Sequence, residues 1–462
     1  MRESSRSGGQ SARFGTLFDQ DVVATFDASA LTSDAGLLLF GALDRKVKLT
    51  ERLCASMTDA RQTGKVAHSH HDLFRQRVYA LAAGYADGND ARTLRADPML
   101  KAVCDRDPVE GRDLASQPTI SRFERSIGGR SVVEMGRSFE REQLSRIARR
   151  FPKARRVFID IDSTEDPAHG QQAFSFFNGF YDSNCFLPLL AFVSVPGEPD
   201  QMLFHARLRP GTGAAHRGVI PLIRRAVAQL RREMPKARII IRMDGGFINP
   251  RLLRVLDELR VLYLLGVPGN QVLLRRSKRL LKGLRKKVKS SGEAARRYGE
   301  IQYAAKSWDH PRRVIVKAEV LPPPERGGNG KVKTNLRYVV TNMDDSPQDI
   351  YEVHYCARGD SENRIKEMKD LEMDRTSSTS YLANQLRVLM AAAAMALYQE
   401  MRWELRGTEL ARAQTPTLRL RLIKIAGQLI RSTRRILVRL PKSCPDARLW
   451  CRLACRVGAS PG

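Results

Sequence analysis

Val157-Phe158-Ile159-Asp160-Ile161-Asp162 is the stretch on which the fold turns. Before it, from about Asp19 to Arg150, apolar residues recur at helical intervals. From Arg156 the pattern becomes a short apolar run of strand length that ends on an acid. Further strands read at Phe186 to Val195 and at Met202 to Leu208. A helix follows from about Arg217 to Met234. Next comes Ala237 to Met243, whose Ile239-Ile240-Ile241 core has the unbroken hydrophobicity of a strand buried on both faces. Pro250 to Leu259 reads as a helix and Val261 to Leu265 as another strand. Three successive strands, then helix, strand, helix, strand, is the order of a mixed sheet packed with helices: an α/β class within an α+β multidomain chain.

Both apolar runs end on aspartate. Asp162 is followed by Ser163-Thr164, and Asp244 by Gly245-Gly246, which lets the backbone turn sharply beside the carboxylate. Side chains at the carboxyl edges of neighbouring strands converge on one crevice. A third acid would complete an oxygen-rich site for Mg²⁺, which prefers carboxylates, water and substrate phosphate. Glu362 is the candidate. On a helix at about 100° per residue, Tyr355, Arg358 and Lys369 fall within roughly 40° of it. An acid flanked by two cations and a tyrosine suits metal and phosphate together, the carboxylate for the ion and the cations for the strand. Asp160, two residues before Asp162, points to the same face and is the alternative first acid.

Each element has an ordinary reading as well. An Asp at a strand end is commonly a turn residue, and a Glu four residues from an Arg on a helix is commonly a surface ion pair. Charge tips the balance. The 462 residues carry 79 Lys+Arg against 50 Asp+Glu, a net +29. Composition is 42% hydrophobic and 28% charged, which excludes wholesale disorder. A cation of this size calls for a polyanionic partner, nucleic acid first. A membrane surface is the rival, but the longest apolar run, Val388 to Tyr398, has 11 residues and is too short to span a bilayer. Seven scattered cysteines suggest reduced thiols, and Met1 to Arg13 has no apolar core of a signal peptide. The expected location is cytoplasmic, nucleoid-associated when bound to DNA.

The constellation resembles the catalytic core of bacterial insertion-sequence transposases of the DDE superfamily, in the branch marked by Tyr-x2-Arg-x3-Glu-x6-Lys. Tyr355, Arg358, Glu362 and Lys369 meet that spacing at every position. The likeness extends over most of the chain. It takes in Gly84-Tyr85 with Asp87 to Asp90, Leu94-Arg95 with Asp97-Pro98, and Leu114 to Glu124. It continues through Asp160 to Gln172, Arg209-Pro210-Gly211, and Arg242 to Phe247. The resemblance implies an RNase H-like fold, with the metal-binding catalytic acids at Asp162, Asp244 and Glu362 and phosphate-contacting roles for Arg358 and Lys369. It implies two Mg²⁺ ions, with Mn²⁺ able to substitute. These would serve cleavage at the element's terminal inverted repeats and transfer of the freed 3′-hydroxyl to the opposite strand or to target DNA, by a homodimer on double-stranded DNA. The family places Thr two residues after the first acid, which Thr164 meets and which favours Asp162 over Asp160. Its Ser-Gly-Phe after the second acid is Gly245-Gly246-Phe247 here, the loss of a hydroxyl but of no metal ligand.

Around this core the sequence divides into a disordered tail (1–18), a helical DNA-binding and dimerisation domain (19–150), a catalytic domain (151–411) and a basic C-terminal segment (412–462). Ser116 to Thr119 offers a capped helix start with Pro118 in the first turn, and Arg122 on that helix is a candidate DNA contact. Residues from about 270 to 334 read as an inserted segment of strands and loops. Its stretch 271–299 holds eleven Lys/Arg and one acid, a charge that would repel itself without an anionic neighbour. Lys282, Lys286 and Lys287 are assigned there to the DNA backbone, as is the tail from Arg412 with twelve Lys/Arg against Asp446. His68, His70, His71 and Asp72 lack a second ligand pair and read as a helix entry. Trp308 reads as core of the insertion, with base stacking as its other use. The rival functions are an RNase H-like nuclease or resolvase that cuts without joining, and a DNA-binding protein with idle acids.

Overall fold

The computed structural model describes residues 11–17, 19–212, 214–323 and 332–460. Within those limits the chain forms two compact units, one of residues 49–61 and 122–399, the other of 1–48, 62–121 and 400–462. The units therefore do not follow the order of the segments read from the sequence. Of the expected tail, residues 1–10 and 18 lie outside the described residues, and Ser11–Leu17 forms a strand paired antiparallel with Gln20–Thr25.

The larger unit is built on one eight-stranded sheet. Its strands are β1 (Arg156–Ser163), β2 (Leu189–Ser194), β3 (Met202–Arg207), β4 (Arg238–Met243), β5 (Leu262–Val267), β6 (Ala295–Tyr303), β7 (Arg312–Leu321) and β8 (Lys333–Thr341). They lie in the order β6-β7-β8-β5-β4-β1-β2-β3. β2 runs antiparallel to both β1 and β3, while β4 lies parallel to β1 and β5 parallel to β4. The five-strand order β3-β2-β1-β4-β5 is that of the RNase H-like fold.

Strand alternation explains both cores. Val157, Ile159 and Ile161 join Ile239, Ile241, Met243 and Leu265 on one face. Against them pack α1 (Gly129–Arg150), α2 (Val219–Glu233) and α3 (Pro250–Glu258), through Leu144, Ile147, Leu222, Ile223, Leu230, Leu252 and Leu256. Phe158, Ile240 and Leu264 face the other way and pack with Ile350 and Tyr351. Each such side chain, fully buried, contributes about 1.5–3 kcal/mol. Asp160 and Asp162 belong to this second face.

The inserted segment differs from the expectation of strands and loops alone. It opens with two helices, α4 (Gln271–Leu281) and α5 (Leu284–Ser291), before β6 and β7. β6 and β7 then continue the main sheet from β8, which pairs with β5. Leu284 and Val288, four apart on α5, pack against Ala295, Ala318 and Val320 and leave the intervening cations outside. Residues 324–331, the Pro- and Gly-rich end of that segment, lie outside the described residues.

The opposite edge of the sheet is covered by α6 (Tyr381–Glu404), in the part of it up to Gln399. Gln385 Oε1 accepts from the Leu208 amide (2.7 Å). Gln399 accepts from the Leu203 amide (3.1 Å) and donates to the Gln201 carbonyl (2.6 Å). These side chains satisfy backbone groups that an edge strand would leave unpaired. Among the described residues no helix is long and apolar enough to cross a membrane.

The smaller unit is mainly helical, with Leu37–Val47, His70–Ala82, Pro98–Val103 and Ala447–Arg456. The helix at His70 is entered through a reciprocal cap, Ser69 with Asp72, so the histidine-rich stretch is a helix start. Gly427–Arg431 and Ile436–Arg439, from the basic C-terminal segment, form a hairpin that adds to Leu31–Thr32.

Candidate active site

The parallel register of β1 and β4 sets the site. Ile161 pairs with Met243, so Asp162 and Asp244 are the next residues on neighbouring strands at one edge of the sheet. Asp162 is nearly buried, and burial pushes its pKa up to about 6; Arg358 opposes that rise and the charge of Asp244 adds to it. Its Oδ2 accepts from Arg358 Nη1 (2.7 Å) and from the Ser361 hydroxyl (3.3 Å), while Oδ1 accepts from the Ser163 amide (3.0 Å). Asp244 is half-buried and caps the 3₁₀ turn Gly245–Phe247, its Oδ1 accepting from the Gly246 amide (2.9 Å).

Beside Asp244 the chains approach closely. A Cβ on Gly266 would lie 2.7 Å from both the Gly245 nitrogen and the Tyr355 hydroxyl. Glycine at 266 is what allows β5 and Tyr355 to stand against the Asp244 turn.

The helical segment over this face is irregular. It begins at Pro347–Asp349, widens to a π-helical turn over Ile350–Tyr355, tightens to 3₁₀ over Cys356–Gly359, and becomes regular in α7 (Asp360–Asp370). This α7 precedes α6 in the chain. The regular 100° step assumed from sequence is thus broken between Tyr355 and Glu362. Tyr355 and Arg358 reach the ends of the strands, and Ser361 is fully buried on Asp162. Glu362 is exposed in the first turn of α7, and Lys369 lies 3.7 Å from Asp374. Asp162 and Asp244 are therefore adjacent, and Glu362 directly follows Ser361, which is bonded to Asp162. Among the described residues, the one group of three or more His, Cys, Asp or Glu whose ligand atoms lie within 4.8 Å of one another is Asp257, Asp309 and His310. There Arg312 already pairs with both aspartates.

Asp160, the alternative first acid, is fully buried in a two-pronged ion pair. Arg242 donates Nε to Oδ1 and Nη2 to Oδ2, both at 2.6 Å, and Gln201 adds a bond to Oδ2 (3.1 Å). The pair ties β1 to β4 directly below the acid edge, and Arg242 Nη1 reaches the His354 carbonyl (2.7 Å) to hold the irregular helix.

The loop after Asp162 is anchored to the segment that follows α7. Thr376 donates its hydroxyl to Asp166 (3.0 Å), whose pKa burial pushes up to about 8. Gln172 donates to the carbonyls of Thr376 and Ser378 and accepts from the His169 amide (2.8 Å). His169 and Gln172 thus support the turn. Ser361, Asp166 and Thr376 escaped the sequence reading. Only the position of Ser361, one helical turn past Arg358, could have pointed to one of them.

The predicted DNA contacts lie on the surface. Arg122 is exposed on the helix Gln117–Ser126, and Lys282, Lys286 and Lys287 are exposed at and within α5. Trp308 packs edge-on against Tyr303 at 5.3 Å, within the core under the insertion.

No curated protein matches the sequence. The model of the family described as transposase DDE domain group 1 matches residues 14–460, a span that contains both aspartate-ended strands, the irregular helix and the inserted segment. The match covers nearly the whole chain, and the chain belongs to this family of DDE transposases.

Proposed function

We propose that this transposase binds the terminal inverted repeats of an insertion sequence, cleaves phosphodiester bonds there and joins the freed 3′-hydroxyl ends to target DNA, as a homodimer on the DNA. The observation that carries the reading is the Ile161–Met243 register, which sets two carboxylates side by side. A carboxylate whose proton affinity is raised by burial and then by a second carboxylate is a donor set suited to hard divalent cations. When bound, two Mg²⁺ ions, or Mn²⁺ in their place, supply Lewis-acid polarisation of the phosphate and a water that loses its proton readily.

The chain's own residues do the rest. Asp162 and Asp244 are the ligands, and Glu362 is the third acid, on the helix that delivers Arg358 and Ser361 to Asp162. Arg358 passes its guanidinium from carboxylate to phosphate as the strand enters, and Lys369 steadies the same backbone. Lys282, Lys286, Lys287 and Arg122 bind DNA away from the chemistry.

The test is incubation of the protein with duplexes ending in the repeats that flank its own coding sequence, in Mg²⁺ or EDTA, read on denaturing gels. Mg²⁺-dependent cutting at the repeat boundary, lost in Glu362→Gln, is the expected result. Cutting without joining of a 3′-hydroxyl donor would make the protein a nuclease. Binding without cutting would make it a non-catalytic DNA-binding protein.

A further inference from the structure

Exposed phenylalanine is concentrated in one place. Among the described residues five phenylalanines are exposed, and four of them, Phe174, Phe176, Phe177 and Phe180, lie within seven positions. Phe180 is 87% exposed. These residues belong to a small three-stranded sheet of Asp166–Pro167, Phe176–Asn178 and Ser183–Phe186, inserted between β1 and β2. Because Ser163 at the end of β1 pairs with Leu189 at the start of β2, the hairpin rises from the sheet edge that carries Asp162. In its tip, Gly179 to Asp182, Tyr181 is half-buried, and after burial the charges of Asp162, Glu165 and Asp244 act on its phenol, which lies within their range.

The tip is also fixed. Asn178 Oδ1 accepts from the amides of Phe180 (3.0 Å) and Tyr181 (3.4 Å), and Asn178 Nδ2 donates to the Gly211 carbonyl (2.8 Å). Gly211 lies so close beneath that a Cβ there would strike the carbonyl oxygens of Cys185 and Phe176. Ser183 donates to Glu165, three residues past Asp162. The rings of Phe180 and Tyr181 meet edge to face at 4.9 Å and 87°. An apolar ring left 87% exposed on a loop that Asn178 fixes contributes little to the core.

We infer that this hairpin is a base-stacking wedge: Phe180, backed by Tyr181, takes an unstacked nucleobase of the strand whose phosphate enters between Asp162 and Asp244. The inference rests on the proposed DNA-cleaving function. A nucleobase is the occupant because it offers a flat π-face whatever the sequence. A protein docked on the same hairpin would close the crevice to the polyanion that a +29 chain attracts. The preformed loop loses little freedom on stacking.

The experiment places 2-aminopurine at each position flanking the scissile phosphate of the terminal-repeat duplex and follows fluorescence on binding in Ca²⁺, then cleavage in Mg²⁺. Wild type should change the signal at one position. Phe180→Ala should lose that change and cleave about 10- to 100-fold more slowly. Phe180→Leu, which keeps the apolar bulk but has no π-face, should resemble Ala, while Phe180→Trp should resemble wild type. An abasic site at the responsive position should restore cleavage by the Ala variant. Wild-type signal and rate in Phe180→Ala and Phe180→Leu would overturn the inference and leave the cleavage function standing. So would an altered oligomeric state with unchanged cleavage, which would make the hairpin a protein contact. Absence of Mg²⁺-dependent cleavage by wild type would overturn the function itself, and this inference with it.

Discussion

Arg358 donates to Asp162 across 196 residues of chain, and the bond joins the irregular helix to the end of the strand that opens the catalytic sheet. Burial opposes the guanidinium charge, yet the carboxylate beside it raises the Arg358 pKa. The same carboxylate is the expected metal ligand, so this arginine bears directly on the charge of that ligand.

Replacing Arg358 by Gln removes the cation that holds Asp162 ionised against burial and against Asp244. Cleavage at pH 7 should fall by about 100-fold. The rising limb of the pH–rate profile should also move to higher pH, because Asp162 then keeps its proton longer. A variant with reduced rate but an unmoved limb would separate Arg358 from the protonation of Asp162.

At Gly266, alanine would press on the Gly245 nitrogen and the Tyr355 hydroxyl at 2.7 Å. The backbone contact cannot give way without moving the Asp244 turn. The expected loss is about 1–3 kcal/mol in urea unfolding, together with most of the cleavage activity. Restoration of activity in Gly266→Ala combined with Tyr355→Phe would identify the hydroxyl, and not the backbone, as the obstacle.

Asp166 predicts a pH dependence of stability. Its folded pKa, about 8, lies above its unfolded value, so between roughly pH 4 and 8 the native state holds a proton that the unfolded chain has released. Its contribution is therefore present at low pH and is lost as pH rises through about 8. Asp166→Asn keeps an acceptor for Thr376 and removes the titration. The melting temperature of the variant should fall less steeply between pH 5 and 8 than that of wild type, by scanning calorimetry.

For the basic face of α5, Lys286→Ala with Lys287→Ala should leave the fold intact, since both side chains are exposed and Leu284 and Val288 make the packing. The slope of log affinity against log salt should become shallower by about 2 if both contact phosphates. An unchanged slope would move the DNA path elsewhere.

The parts legible in the sequence were those whose burial is complete. Ile239-Ile240-Ile241 and Val157 to Asp162 read as strands because both faces are covered, and the paired aspartates followed from where those runs stop. The irregular helix did not read correctly. Nothing in Ile350 to Gly359 announces a π turn followed by a 3₁₀ turn, so the wheel gave no sign that Ser361 would reach Asp162 beside Arg358. The helices opening the insertion were hidden by their cations, which mask an apolar stripe as thin as Leu284 and Val288. The aromatic hairpin was invisible for the opposite reason, since its strands of two to four residues expose the residues that usually mark a core.

Gln385 and Gln399 occupy the backbone groups of β3, so the sheet has a sealed margin on that side, while β6 on the other ends a run of three antiparallel strands joined in sequence. The spacing of Asp162 and Asp244 is set by the register of β1 and β4, which lie five and four strands inward from β6. Length and charge in the hairpins of β6, β7 and β8 are thereby uncoupled from the chemistry. Substitutions at that margin can change its charge and length and leave the paired aspartates where they are.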